Sequence, residues 1–92
     1  MKLIEGENSI YYVDESGKIL AEVTFPDITY GVVNINHTFV DESLRGQGIA
    51  GKLMEAVVKK LEEDNKKAYL TCSYAVKWFE ANPQYKKYVV TL

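Results

Sequence analysis

The chain has one cysteine, one histidine, one tryptophan and two prolines in 92 residues. A single thiol cannot close an internal disulfide, so a reducing, cytoplasmic setting is expected. No apolar run approaches the roughly 20 residues that a membrane-spanning helix needs. The first ten residues, MKLIEGENSI, carry acids and lack the apolar centre of a secretory signal. No membrane partner is expected. Cationic excess is also lacking: 11 Lys plus Arg stand against 13 Asp plus Glu, a net charge of −2. A sequence-independent nucleic-acid binder needs the opposite balance, so nucleic acid is not an expected partner. Repeats, low-complexity tracts and linkers are absent too, and the length suits one domain, residues 1–92.

What is present is a change of period. Ser9 to Val13 reads as a strand ending at the turn cluster Asp14-Glu15-Ser16-Gly17. From Lys18 to Phe25, Ile19, Ala21, Val23 and Phe25 alternate with Lys18, Glu22 and Thr24, the mark of a strand with one buried face. These two strands should form an antiparallel hairpin. Pro26-Asp27 interrupts; Ile28 to Val33 makes a third strand and Asn34 to Val40 a fourth. The fourth is expected to put Ile35, His37 and Phe39 on one face. From Gly48 the spacing turns helical: Ile49, Leu53, Val57 and Leu61, with Ala50, Met54 and Val58, form an apolar stripe ending near Asp64-Asn65. Ala68 to Thr71 is a fifth strand, parallel to the fourth because a helix joins them. Ser73 is placed to cap a second helix that stops at Asn82-Pro83, and Tyr85 to Thr91 a last short strand. The expected class is α+β, with antiparallel strands, a β-α-β crossover, a helix and a short final strand.

The stretch His37 to Lys52, HTFVDESLRGQGIAGK, holds Gly46, Gly48 and Gly51 across a turn and a helix start. Glycine is costly in a helix, so three here call for close approach of a ligand to bare N–H groups. Gly46 to Gly51 fits the dinucleotide pattern G-x-G-x-x-G, but the further βα units of a dinucleotide fold are missing. Gly46 to Lys52 fits G-x-x-x-x-G-K of a P-loop, but Leu53 stands where the Mg²⁺-binding Ser or Thr belongs. A glycine-rich turn that binds nothing is the remaining plain alternative.

Arg45-Gly46-Gln47-Gly48-Ile49-Ala50 also fits [Arg/Gln]-x-x-Gly-x-[Gly/Ala], and here the chain resembles the GNAT superfamily of N-acetyltransferases. Cys72-Ser73-Tyr74 after the fifth strand is similar to the triplet of the short, YjdJ-like GNAT proteins. The resemblance is strong over His37 to Leu61 and looser from Ser9 to Val90. It implies a GNAT-like fold and acetyl-CoA as cofactor, with no metal. Amides of Arg45, Gly46, Gln47, Gly48, Ile49, Ala50 and Gly51 would take the pyrophosphate, which suits an anion at a helix N-terminus. Lys52 would add a charged contact, and Phe39 and Val40 would pair with the pantetheine arm.

For the reacting end the resemblance points to Cys72, at the end of the fifth strand, where a helix N-terminus can lower a thiol's pKa. An acyl-cysteine intermediate is one reading; a small buried hydrophobe is the other. His37, the only histidine, is either a hydrogen-bonded structural residue or the base for an acceptor amine. Larger family members often carry A-x-x-F-Y-E in the last helix, with the Tyr as proton donor. Ala75-Val76-Lys77-Trp78-Phe79-Glu80 has Phe79 at that place, which leaves Tyr74 as a substitute donor. The helices that shape the acceptor pocket of larger enzymes have no room at Pro26-Asp27. The expected activity is transfer of acetyl from acetyl-CoA to an unidentified amine, on a small molecule or a protein. A CoA-binding module without catalysis and a protein-interaction domain are the alternatives.

Overall fold

The first turn forms as its residues demand. Asp14 accepts from the amide and hydroxyl of Ser16 at 2.9 and 2.7 Å and from the Lys18 amide at 3.0 Å, while Gly17 turns through φ 88°. Around it, a computed structural model describes residues 1–91 of the chain. Strands β1 (Lys2–Glu5), β2 (Ser9–Val13), β3 (Ile19–Thr24), β4 (Asp27–Thr29), β5 (Val32–Ile35) and β6 (His37–Val40) precede helix α1 (Ile49–Asp64). Strand β7 (Lys67–Leu70), helix α2 (Ser73–Ala81) and a 3₁₀ segment (Pro83–Tyr88) follow.

The strands divide between two sheets, ordered β1-β2-β3-β6 and β4-β5-β7. All pairs are antiparallel except β5 with β7, which run parallel as the helical crossover requires. α1 lies against β2, β3 and β6. Its buried stripe of Ile49, Leu53, Met54, Val57, Val58 and Leu61 joins Ile10, Ala21, Val23, Val33 and Ile35 in one core. Full burial of a side chain such as Leu53 contributes about 1.5–3 kcal/mol. The helix ends on Asn65 in the left-handed conformation, φ 55°, whose N–H returns to the carbonyls of Leu61 and Glu62.

Five expectations change. β1 was not foreseen; it pairs with β2. The expected third strand is two short strands, β4 and β5, joined at Tyr30-Gly31, where Gly31 has φ 75°. Ser73 is the first helical residue of α2, and Cys72 holds the N-cap position without a side-chain cap. The expected last strand is the 3₁₀ segment plus one parallel bridge, Ala68 with Val89; Pro83 opens that segment, where its fixed φ suits a helical turn.

The fifth change shapes the site. The expected strand Asn34–Val40 breaks at Asn36, and its two halves join different sheets. Val33 and Ile35 are buried, whereas after the break Thr38 and Val40 turn inward and His37 and Phe39 are exposed. The alternation shifts by one residue, as a bulge does. The Asn36 amide donates to Thr24 O at 3.3 Å, and Thr24 also faces His37, so two residues oppose one. Ile35 therefore does not share a face with His37 and Phe39.

Candidate active site: a glycine turn beside an open strand edge

β6 ends at Val40, and Asp41 caps a 3₁₀ turn, Glu42–Leu44. The Asp41 carboxylate accepts from the Ser43 amide at 3.0 Å and the Ser43 hydroxyl at 2.6 Å. The Ser43 hydroxyl first, then its amide, holds the Asp41 carboxyl below the ordinary carboxylate value. Arg45 is extended, and Gly46 and Gly48 follow with φ of 81° and 72°. Only glycine adopts that region without strain, so the fold itself requires these two.

Gly48 is the N-cap of α1 and offers no side chain to its amides. The Lys52 amide bonds to Gly48 O at 3.1 Å; the amides of Ile49, Ala50 and Gly51 precede it and have no carbonyl within the helix. The first turn carries no acid to oppose the positive end of the helix dipole. Arg45 and Lys52 are exposed beside it, outside both salt bridges found among the described residues. Gly51 is different from the other two glycines. Its backbone is not left-handed, and an added Cβ would meet Trp78 Nε1 at 3.4 Å and Tyr74 Oη at 3.9 Å, ordinary contacts. The fold does not demand glycine there. A groove of about 210 Å³ runs along this turn, between Val40 of β6 and Tyr74 of α2.

The open edge comes from the break at Asn36. β5 stays beside β7 as far as Ile35 and Leu70, and β6 then leaves to become the last strand of the other sheet. The Asp41 amide bonds to Leu20 O at 2.7 Å, and bonded pairs alternate along an antiparallel ladder. By that alternation the backbone of Phe39 faces β3, while Thr38 and Val40 present theirs to the open side.

Across the gap, the Thr71 and Cys72 amides both donate to Ile35 O, at 3.2 and 3.1 Å. Cys72 is half-buried at the N-terminus of α2, with Sγ 3.4 Å from Thr38 Oγ1. His37 is not brought to Cys72. It is exposed on the opposite face of β6, next in sequence to the residue that touches the thiol. Thr38 was missed by sequence reasoning, because an unbroken alternation puts it on the wrong face; Asn36 between two β-branched runs was the only available sign. Tyr74 lines the groove, and burial pushes its phenol above 10.0. Phe79 is 5% exposed and lies edge-on to Trp78 in the core. A larger hollow of about 680 Å³, at the far end of α1, is spanned by the Lys66–Asp27 ion pair and is lined by neither a cysteine nor a helix N-terminus.

The sequence profile of the GCN5-related N-acetyl-transferases matches residues 9–88. The chain belongs to that family. In structure it is similar to a GCN5-like protein of Staphylococcus aureus, at 35% identity and a TM-score of 0.81 over 99% of this chain and 89% of that one. It is also similar to the Escherichia coli GNAT-family N-acetyltransferase YhbS in complex with CoA. That likeness has 27% identity and a TM-score of 0.57, over 63% of this chain and 35% of YhbS. Among curated relatives, the human protein NATD1 is 40% identical over 52 residues, 56% of this chain and 46% of its own. The chain spans about half the length of the curated relatives it matches. The fold is thus the mixed α+β fold of the GNAT acetyltransferases, and a CoA-type cofactor accords with the YhbS complex. No helix among the described residues is long and apolar enough to cross a membrane.

Proposed function

We propose that this chain is a minimal, single-domain N-acyltransferase, residues 1–92, that moves the acetyl group of acetyl-CoA to an amine. The observation that carries this reading is the uncapped, acid-free N-terminus of α1 lying beside an open strand edge that leads to Cys72. The residues fit the ligand. Amides from Gly46 to Gly51 suit a pyrophosphate, Arg45 and Lys52 add charge, and the edge at Thr38 and Val40 suits the amides of the pantetheine arm.

The arm would bring its thioester to the gap bridged by Thr38 and Cys72. Two routes then balance. In one, the acceptor nitrogen attacks the acyl carbon, the bond to the CoA sulfur breaks, and the nitrogen's proton passes to solvent or to His37. In the other, Cys72 Sγ attacks first, CoA leaves as the thiol, and the acceptor then takes the acyl group from Cys72. Neither route assigns a role to a metal. A free, half-buried thiol suits a reducing, cytoplasmic setting.

A CoA-binding module with little catalysis is the second reading. Its support is Phe79, buried where larger family members carry a proton-donating tyrosine. Titration of labelled protein with acetyl-CoA, followed by intact mass, separates the readings. The expected result is amide shifts at Arg45 to Lys52 and Val40, with a gain of one acetyl that disappears in Cys72→Ala if the second route operates. Absence of shifts overturns both readings; shifts with no transfer to any amine in a screen leave the binding module.

A further inference from the structure

The face of the β1-β2-β3-β6 sheet opposite α1 carries a cross-strand row that the family assignment does not explain. Tyr11 of β2 pairs with Glu22 of β3, and Glu22 with Phe39 of β6. Directly paired residues share a face with Cβ atoms about 4.5–5.5 Å apart. Glu22 is therefore a carboxylate in a central strand with an aromatic ring on each side.

Among the described residues, no salt bridge or side-chain hydrogen bond reaches that carboxylate. The two salt bridges among the described residues are Lys60–Asp64 and Lys66–Asp27. The two cation–π pairs found among them both use Tyr88, with Lys67 at 5.6 Å and Lys87 at 5.5 Å. The aromatic pairs are Trp78 with Phe79 and with Tyr85. Tyr11 and Phe39 thus stand apart from each of these, and Phe39 is 41% exposed. An unpaired carboxylate between two aromatic rings is complementary to one chemistry, an organic ammonium: charge meets the carboxylate, and alkyl carbons and cation meet the ring faces.

The position of the row gives it a use. Phe39 follows Thr38, whose hydroxyl meets Cys72 Sγ from the other face of the same edge strand. Phe39 and the thiol are thus separated by one strand's thickness, beside an open edge. We infer that Tyr11, Glu22 and Phe39 form a docking site for a protonated alkylamine, such as a lysine side chain, and that this is where the acceptor binds. His37 lies on this face one pleat along, opposite Thr24. The acceptor role rests on the acyltransferase reading; the ammonium site itself does not.

The test uses labelled protein without CoA, titrated with the peptide acetyl-Gly-Lys-Gly-amide and with the same peptide Nε-acetylated, its uncharged counterpart. The expected result is saturable shifts at Tyr11, Glu22 and Phe39 with the charged peptide only, and about fivefold weaker binding in Glu22→Gln. Equal shifts from both peptides would make this an apolar docking face and overturn the inference, as would undiminished binding in Glu22→Gln or no shifts at millimolar peptide. Concentration-dependent shifts at these residues without peptide would assign the face to a second copy of the chain and also overturn it. Acetyl-CoA binding reads out separately at Gly46 to Lys52. If that fails while the charged peptide binds, the acyltransferase reading falls and the cation site stands. If both hold, Glu22→Gln should raise KM for the peptide at an unchanged kcat; a fall in kcat alone would remove the acceptor role.

Discussion

Thr38 Oγ1 lies 3.4 Å from Cys72 Sγ, joining the edge strand β6 to the start of α2 across the gap between the two sheets. Thr38→Val keeps the shape and removes the hydroxyl. A neutral hydrogen bond contributes about 0.5–1.5 kcal/mol, so the fold should survive with a modest fall in Tm. A hydroxyl that donates to the sulfur stabilises its charged, reactive form. Alkylation of Cys72 by iodoacetamide at neutral pH should slow accordingly; an unchanged rate would mean that the hydroxyl does not support the thiolate.

The glycines of the turn should separate stability from binding. Gly48→Ala forces a left-handed alanine at φ 72°, a cost of about 1–2 kcal/mol. Gly51→Ala meets no such strain and gains helix propensity, so it should stabilise the fold by about 0.5–1 kcal/mol. Gly51 nevertheless lines the groove beside Tyr74, and acetyl-CoA binding should weaken. A Gly51→Ala protein that is stabler and binds equally well would remove Gly51 from the cofactor site.

The extra residue at Asn36 stands where the chain changes sheets. Deleting it would restore strict alternation from Ile35 with His37 and Phe39 still outward and Thr38 and Val40 still inward. The deletion should still lower Tm, because the chain then has one residue fewer with which to cross from β5 in one sheet to β6 in the other. Asn36→Gly keeps the residue count and loses only the hydrogen bond from the Thr24 hydroxyl, so thermal unfolding should show a far smaller change.

Restoring the family's tyrosine should not restore a proton donor. Phe79→Tyr would place a hydroxyl in a site 5% exposed, and an unpartnered buried hydroxyl costs about 1–3 kcal/mol. Lower stability with unchanged transfer is the expected outcome. A rise in transfer would show that Phe79 reaches the acyl group.

The turn before the glycines should loosen in acid. The Asp41 carboxyl lies below the ordinary carboxylate value, chiefly through the Ser43 hydroxyl. A depressed folded pKa contributes stability that is present above the unfolded value and lost as pH falls through the folded one. The Ser43 amide resonance should titrate with a midpoint below 3.8. In Asp41→Asn that transition should vanish.

Much of this protein was legible as local pattern. The alternation Ile19, Ala21, Val23, Phe25 and the helical stripe from Ile49 to Leu61 each record burial against one surface, and both elements formed where their periods put them. The signature Arg45 to Ala50 was legible as a motif that resembles the family's, and the structure accounts for two of its residues, Gly46 and Gly48, by their positive φ. What required the tertiary structure was the consequence of partner choice. A four-residue strand has no period strong enough to reveal that the chain changes sheets at Asn36, yet that change decides that Thr38 meets Cys72 while His37 and Phe39 face away. Likewise, no spacing in the sequence shows that Tyr11, Glu22 and Phe39, far apart along the chain, lie in one row. Strand register, set by burial of Ile10, Val23 and Ala21 beneath them, put them there.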